Sequence, residues 1–136
     1  MSDNLFFIFK VANLSHEIAD QARYGRDLVK QLIKATGTIC LSYGLRRFPK
    51  QGYTILAQLA TSHIAIHSWP EDGYIEGTLH TCTEVHDQST LLWALREIFP
   101  GGDISARIFR SSDLAALPNL QAHAHSESAA ALEASP

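Results

Sequence analysis

Two turn signals, Pro49-Lys50-Gln51-Gly52 and Pro70-Glu71-Asp72-Gly73, cut the middle of the chain into β-prone stretches with the length of strands rather than helices. Thr38 to Phe48 is rich in β-branched and aromatic residues, Tyr53 to Leu59 alternates apolar with polar, and His63 to Trp69 and Tyr74 to Cys82 follow. Gly77 inside the last stretch predicts a bulge or a close backbone approach. Leu5 to Val11, with Phe6, Phe7, Ile8 and Phe9, reads as a buried first strand. Behind it Ser15 offers a helix N-cap, Ile18, Ala22, Val29, Leu32 and Ile33 approximate an apolar stripe, and Gly37 supplies a stop. One amphipathic helix is therefore predicted over about 16–35. Asp87 or Ser89 caps a second helix carrying Leu91, Leu92, Leu95, Ile98 and Phe99, which ends near Gly101, and Ile104 to Arg110 closes the pattern as a strand. The order strand, helix, several strands, helix, strand predicts an α+β two-layer sandwich: an antiparallel or mixed sheet with both helices on one face.

A chain of 136 residues, 46% apolar, is enough for one domain with a real core, placed at 1–118. Residues 119–136 are dominated by alanine, serine, histidine and glutamate, and are expected to form a disordered tail in which His123 and His125 are solvated. The net charge of -3, from 11 basic and 14 acidic residues without a basic stripe, argues against nucleic acid or an anionic membrane as partner. Acid rather than lysine or arginine lies near Met1, and Lys10 interrupts the apolar run behind it. Neither a signal peptide nor a membrane span is read, and a cytoplasmic location is expected. Cys40 and Cys82 alone predict no disulfide framework.

Reactive side chains crowd into Thr61-Ser62-His63-Ile64-Ala65-Ile66-His67-Ser68-Trp69-Pro70-Glu71, with His80 and Cys82 soon after. On a strand His63 and His67 share a face but lie roughly 13 Å apart, too far for one ion. His80 and Cys82, about 7 Å apart, lack evident further ligands, so no metal is expected. A Gly-x-Ser-x-Gly elbow is also missing, which disfavours a serine hydrolase. Taken one at a time, Ser62 reads as a hydroxyl at a strand start, His67 as a core or edge histidine, and Cys82 as a small buried hydrophobe.

Taken together, the run resembles the short prokaryotic S-adenosylmethionine decarboxylase proenzymes. Their signature reads approximately Glu-Ser-His, three residues, His-Thr-Trp-Pro-Glu, then Thr-Cys. Here the matching residues are Ser62-His63, His67-Ser68-Trp69-Pro70-Glu71 and Thr81-Cys82. Phe48-Pro49-Lys50-Gln51-Gly52-Tyr53-Thr54 is similar to a second family stretch, and the order of elements matches from residue 5 to about 110. The sequence departs from the pattern at Thr61 (glutamate in the family), Thr78 (aspartate), His80 (an aromatic) and Thr83 (glycine).

The resemblance implies self-cleavage between Thr61 and Ser62, with the hydroxyl of Ser62 attacking the Thr61 carbonyl, Thr54 assisting, and His67 removing the α-hydrogen of Ser62. It implies a pyruvoyl cofactor made from Ser62, which forms a Schiff base with the substrate amine, and Cys82 as the acid that reprotonates the α-carbon. For substrate binding it implies Phe48 on the adenine, Glu71 on the ribose hydroxyls and Arg110 nearby. The partners implied are S-adenosylmethionine, as substrate for spermidine synthesis, and a second copy in a homodimer of cleaved protomers. Decarboxylation of another amino acid, arginine or ornithine, and an uncleaved binding or regulatory homologue are the alternatives raised by the departures.

Overall fold

A computed structural model describes residues 3–120. Of the predicted tail, 119–136, residues 121–136 with His123 and His125 lie outside the described residues, and Asn119 and Leu120 are exposed. Six strands form one sheet: β1 (Leu5–Ala12), β2 (Cys40–Arg47), β3 (Tyr53–Leu59), β4 (Ser62–Trp69), β5 (Tyr74–Thr81) and β6 (Asp103–Arg110), in the order β2-β3-β4-β5-β1-β6. Every neighbouring pair is antiparallel, which decides between the two sheet types left open by the sequence. The first strand is inserted between β5 and β6, paired on both sides, and its Leu5, Phe7, Phe9 and Val11 are buried in the core.

Alternation assigns the two faces of the sheet. Leu5, Phe7, Phe9 and Val11 of β1, Tyr53, Ile55 and Ala57 of β3, and Ile64 and Ile66 of β4 are buried in one cluster with Leu28, Val29 and Leu32 of one helix and Leu91 and Leu95 of another. The sandwich is therefore two-layered, with the helices on one face as predicted. Gly77 interrupts no register; the sheet needs it for close approach, because a Cβ there would stand 2.7 Å from the ring of Phe9 and collide with the carbonyl of Ala65. The one register irregularity falls in β2, between Cys40 and Ser42.

The first predicted helix is two helices, α1 (His16–Asp20) and α2 (Ala22–Thr36), divided at Gln21 by extended backbone angles (φ -86, ψ 112). Ser15 caps α1 through Ile18 N–H, and Gly37, at φ 69, ends α2. The break has a tertiary cause. Asp20 is engaged by the β2–β3 turn: its carboxylate accepts the Gly52 N–H at 2.7 Å, and its carbonyl accepts the Arg47 guanidinium at 3.2 Å. The apolar stripe of α1 and α2 is nearly continuous in sequence, so periodicity alone does not register the bend. The third helix, α3 (Ser89–Ile98), begins beside Asp87, whose carboxylate accepts the Ser89 N–H at 3.0 Å.

Candidate active site

The sequence-predicted residues fall into two groups at opposite ends of β4. Ser62 opens the strand. Its side chain points into the helix-covered face, only 9% exposed, in line with Ile64 and Ile66. Register places it opposite Thr81, and its hydroxyl donates to Thr81 Oγ1 at 2.8 Å. Ala60 and Thr61 form the tight turn between β3 and β4, which leaves Thr61 exposed. The next residue of the β5 strand end, Cys82, donates its thiol hydrogen to the Thr61 carbonyl oxygen at 3.3 Å. The same carbonyl belongs to the Thr61–Ser62 peptide. Thus the predicted nucleophile, its target carbonyl and a donor to that carbonyl meet in one place.

The second group surrounds His67. Its ring Nδ1 lies 3.1 Å from Thr54 Oγ1, a cross-strand neighbour in register. Phe48, Thr54, His67, Trp69 and Glu71 line a cavity of about 380 Å3. Phe48, Thr54, His67 and Glu71 are the residues for which the resemblance implies a role; Trp69 adds a further wall. The wall containing Phe48 is held from outside the sheet. Gly52, at φ 89, closes the turn by accepting the Phe48 N–H at 2.9 Å, and Asp20 and Arg47 fasten the turn to α1. His16 Nε2 adds a contact of 2.7 Å to Gln51. Glu71 lies in the 3-10 turn Pro70–Asp72 directly after β4.

The structure does not bring the two groups together within one chain. Ser62 and His67 are five positions apart on one strand, so they lie on opposite faces and about 17 Å apart. A side chain of 6 or so Å cannot span that distance, and a paired central strand does not fold back on itself. Arg110 joins neither group. It ends β6 in the row Arg110, Leu5, Thr81, Ser62, three strands from Ser62 and about 14 Å away by strand spacing, where its charge helps lower the pKa of Asp3 after the hydrogen bonds from Ser112.

The departures from the family pattern also find places. His80 behaves as an aromatic: on the uncovered face it stacks on Phe6 with ring centres 4.4 Å apart, Phe6 stacks on Phe109 at 5.2 Å, and His63 meets His80 edge-on at 5.1 Å. Burial, and then the neighbouring His63, hold the His80 pKa below its ordinary 6.5. Thr78 lines a smaller pocket of about 180 Å3 on the other side of His67, with Ile8, Ala65 and Glu76. Thr83 donates its N–H to Thr81 Oγ1 at 3.0 Å. Among the described residues no three or more histidine, cysteine, aspartate or glutamate side chains gather to hold a metal, no helix is long and apolar enough to cross a membrane, and both cysteines are free.

Thr81 is the polar residue that sequence reasoning did not assign a role. It is fully buried at the end of β5, and the signal that identifies it is register: only pairing β4 with β5 puts its hydroxyl opposite Ser62. A groove of about 460 Å3 between α3 and β6 contains none of the predicted residues.

The family model for S-adenosylmethionine decarboxylase matches residues 7–112 of the chain. An S-adenosylmethionine decarboxylase proenzyme of Clostridium botulinum (strain Loch Maree / Type A3) is 31% identical over 78 residues, covering 57% of this chain and 67% of that protein. The proenzyme of Pyrobaculum neutrophilum is 43% identical over 61 residues, 44% of this chain and 49% of that protein. The crystal structure of the adenosylmethionine decarboxylase of Aquifex aeolicus VF5 superimposes with a TM-score of 0.67 at 20% identity, covering 79% of this chain and 89% of that one, a likeness of fold. With the family model spanning both groups of residues and the sheet that carries them, the chain belongs to the S-adenosylmethionine decarboxylase family of carboxy-lyases.

Proposed function

We propose that the chain is a self-processing decarboxylase, cut between Thr61 and Ser62, which acts on S-adenosylmethionine through a pyruvoyl group formed from Ser62. The observation that carries this reading is the pair of hydrogen bonds at that peptide: Ser62 Oγ held at 2.8 Å by Thr81, and the Thr61 carbonyl oxygen receiving the Cys82 thiol at 3.3 Å. In the first step Ser62 Oγ bonds to the Thr61 carbonyl carbon as the carbon–nitrogen bond breaks, and the hydroxyl proton ends on the nitrogen, which becomes an amine. Negative charge develops on the Thr61 oxygen, where the Cys82 thiol already points, so the donor needs no rearrangement to stabilise it. Removal of the Ser62 α-hydrogen then expels the Thr61 carboxylate, and water replaces ammonia to leave a ketone on residue 62. These neighbours fit that chemistry: a buried nucleophile, and a carbonyl with a thiol donating to its oxygen. Once formed, the pyruvoyl group supplies the electron sink for loss of carbon dioxide. Cys82 stands at the same spot as the acid for return of a proton.

His67 is the base in this reading, and its distance of about 17 Å from Ser62 on the same strand requires a second copy to supply it. This supports the expected homodimer, in which each complete site takes Ser62 and Cys82 from one chain and the His67–Thr54 pair and Phe48 cavity from the other. The cavity of about 380 Å3 is of the size of small-ligand sites, with an aromatic wall for adenine at Phe48 and a carboxylate for ribose hydroxyls at Glu71. The product serves spermidine synthesis in the cytoplasm. Thr78 lines the pocket behind His67 where the family has aspartate, so arginine and ornithine are the substrates to compare.

Intact-mass measurement of purified protein tests the processing: chains 1–61 and 62–136 are expected, the second with a blocked N-terminus, and Ser62→Ala is expected as one full-length chain. A wild-type protein that stays full-length sinks the reading. Carbon dioxide release from S-adenosylmethionine, arginine and ornithine in parallel then fixes the substrate.

A further inference from the structure

We propose that Thr81 is the positioning residue of chain cleavage: its side-chain oxygen accepts the hydroxyl hydrogen of Ser62 and so aims the Ser62 oxygen at the Thr61 carbonyl. The proposal rests on the self-cleavage reading above and deepens it. Thr81 is fully buried, opposite Ser62 in register, and its Oγ1 accepts from Ser62 Oγ at 2.8 Å and from the Thr83 N–H at 3.0 Å. A threonine hydroxyl oxygen has two lone pairs, and both are engaged. With two donors on it, Thr81 is a poor base, which confines it to orientation. By taking the only hydrogen of Ser62, it leaves both lone pairs of the Ser62 oxygen free to face carbon. The backbone bond from Thr83 fixes the acceptor in turn, and the β-branch of Thr81 restricts its own rotation about χ1.

Consecutive residues thereby hold both reactants of one step. Thr81 holds the nucleophile and Cys82 holds the carbonyl oxygen it attacks, and a strand end followed by a bend carries both. No proton balance is asked of Thr81: the Ser62 proton passes to the departing amide nitrogen, as in the step written above.

The test follows cleavage of freshly synthesised full-length chain by intact mass. Thr81→Val keeps the shape and removes the oxygen, whereas Thr81→Ser keeps the oxygen. Thr81→Val is expected to cleave between about tenfold and about 100-fold more slowly than wild type, and Thr81→Ser within about threefold of it. Thr81→Ala carries the same expectation as valine and serves where valine impairs folding, with the thermal melt of each variant as the check. Hydroxylamine, which splits esters, is expected not to speed Thr81→Val, because the slowed step precedes the ester. Cleavage of a folded Thr81→Val or Thr81→Ala at the wild-type rate overturns the proposal, as does rapid hydroxylamine scission of either. A wild-type chain that never cleaves overturns the self-cleavage reading, and this proposal with it.

Discussion

At one end of β4, Ser62 is buried and hydrogen-bonded to Thr81; at the other, His67 borders a cavity of about 380 Å3 and shares a hydrogen bond with Thr54. The first end is built where two paired strands stop: register sets Ser62 opposite Thr81, and the residues just outside the ladder, Thr61 in the turn and Cys82 after β5, meet through a hydrogen bond. The second is built by turns and a helix: Gly52 closes the loop under Phe48, and Asp20 of α1 anchors it. A reaction of the chain on itself needs its atoms already in contact, which register supplies. A site for a small molecule needs room, which a turn held away from the sheet supplies. In the proposed reading this difference lets one strand serve both chain cleavage and substrate binding.

Substitutions at His67 and Ser62 test that division most severely. His67→Ala is expected to slow processing about 100-fold to about 10,000-fold, and Ser62→Ala to abolish it, when each is made alone. Made together in one cell, the two variants are expected to restore cleavage of the His67→Ala chain, because mixed dimers hold one intact pair of half-sites. Mass spectrometry of the mixture reads this directly; no fragment 1–61 from the His67→Ala chain would show that the halves do not complement across copies.

Phe48→Ala tests the roomy end without touching the buried one. Its KM for S-adenosylmethionine is expected to rise about tenfold to about 100-fold, while the extent of cleavage stays at the wild-type level. Steady-state carbon dioxide release and intact mass of the same preparation separate the two quantities. Asp20→Ala acts one shell further out. It leaves the Gly52 N–H without its carboxylate and is expected to cost about 1–3 kcal/mol of stability in a urea titration, with a smaller rise in KM than Phe48→Ala.

The smallest expected effect is one of pH. The folded protein disfavours charge on His80, so the unfolded chain binds that proton first as pH falls. The stabilisation is present above pH 6.5 and declines as pH drops from 6.5 through the lower folded-state pKa. His80→Phe retains the stack on Phe6 and removes the titration, so its urea midpoint should change less between pH 7.5 and pH 5.5 than that of wild type. An equal change in both proteins would remove His80 as the source.

Much of this was legible in the chain. The turns at Pro49–Gly52 and Pro70–Gly73 are marked by residues with fixed backbone preferences, and strand alternation shows which side chains share a face. The Phe48, Thr54, His67 and Glu71 group was readable because the motif keeps those types at those spacings, and the fold gathers all four around one cavity. The break at Gln21 was not readable, since Asp20 is pulled out of helical continuity by Gly52 and Arg47, partners about thirty positions away. His80 is legible in the sequence only as a departure at a position where the family has an aromatic, and its neighbours Phe6 and His63 make it part of an aromatic row.

The number and order of strands, the two-layer architecture, the family and the reactive residue types are all written in the chain, because they follow from local backbone preference, apolar period and motif spacing. Tertiary structure alone decided that β1 lies between β5 and β6, that Thr81 meets Ser62, that Cys82 reaches the Thr61 carbonyl, and that His67 stands at the far end of the same strand. The physical reason is that register is a relation between strands. Each strand carries its own pattern of faces, but which hydroxyl stands opposite which is fixed only when the sheet closes around its core.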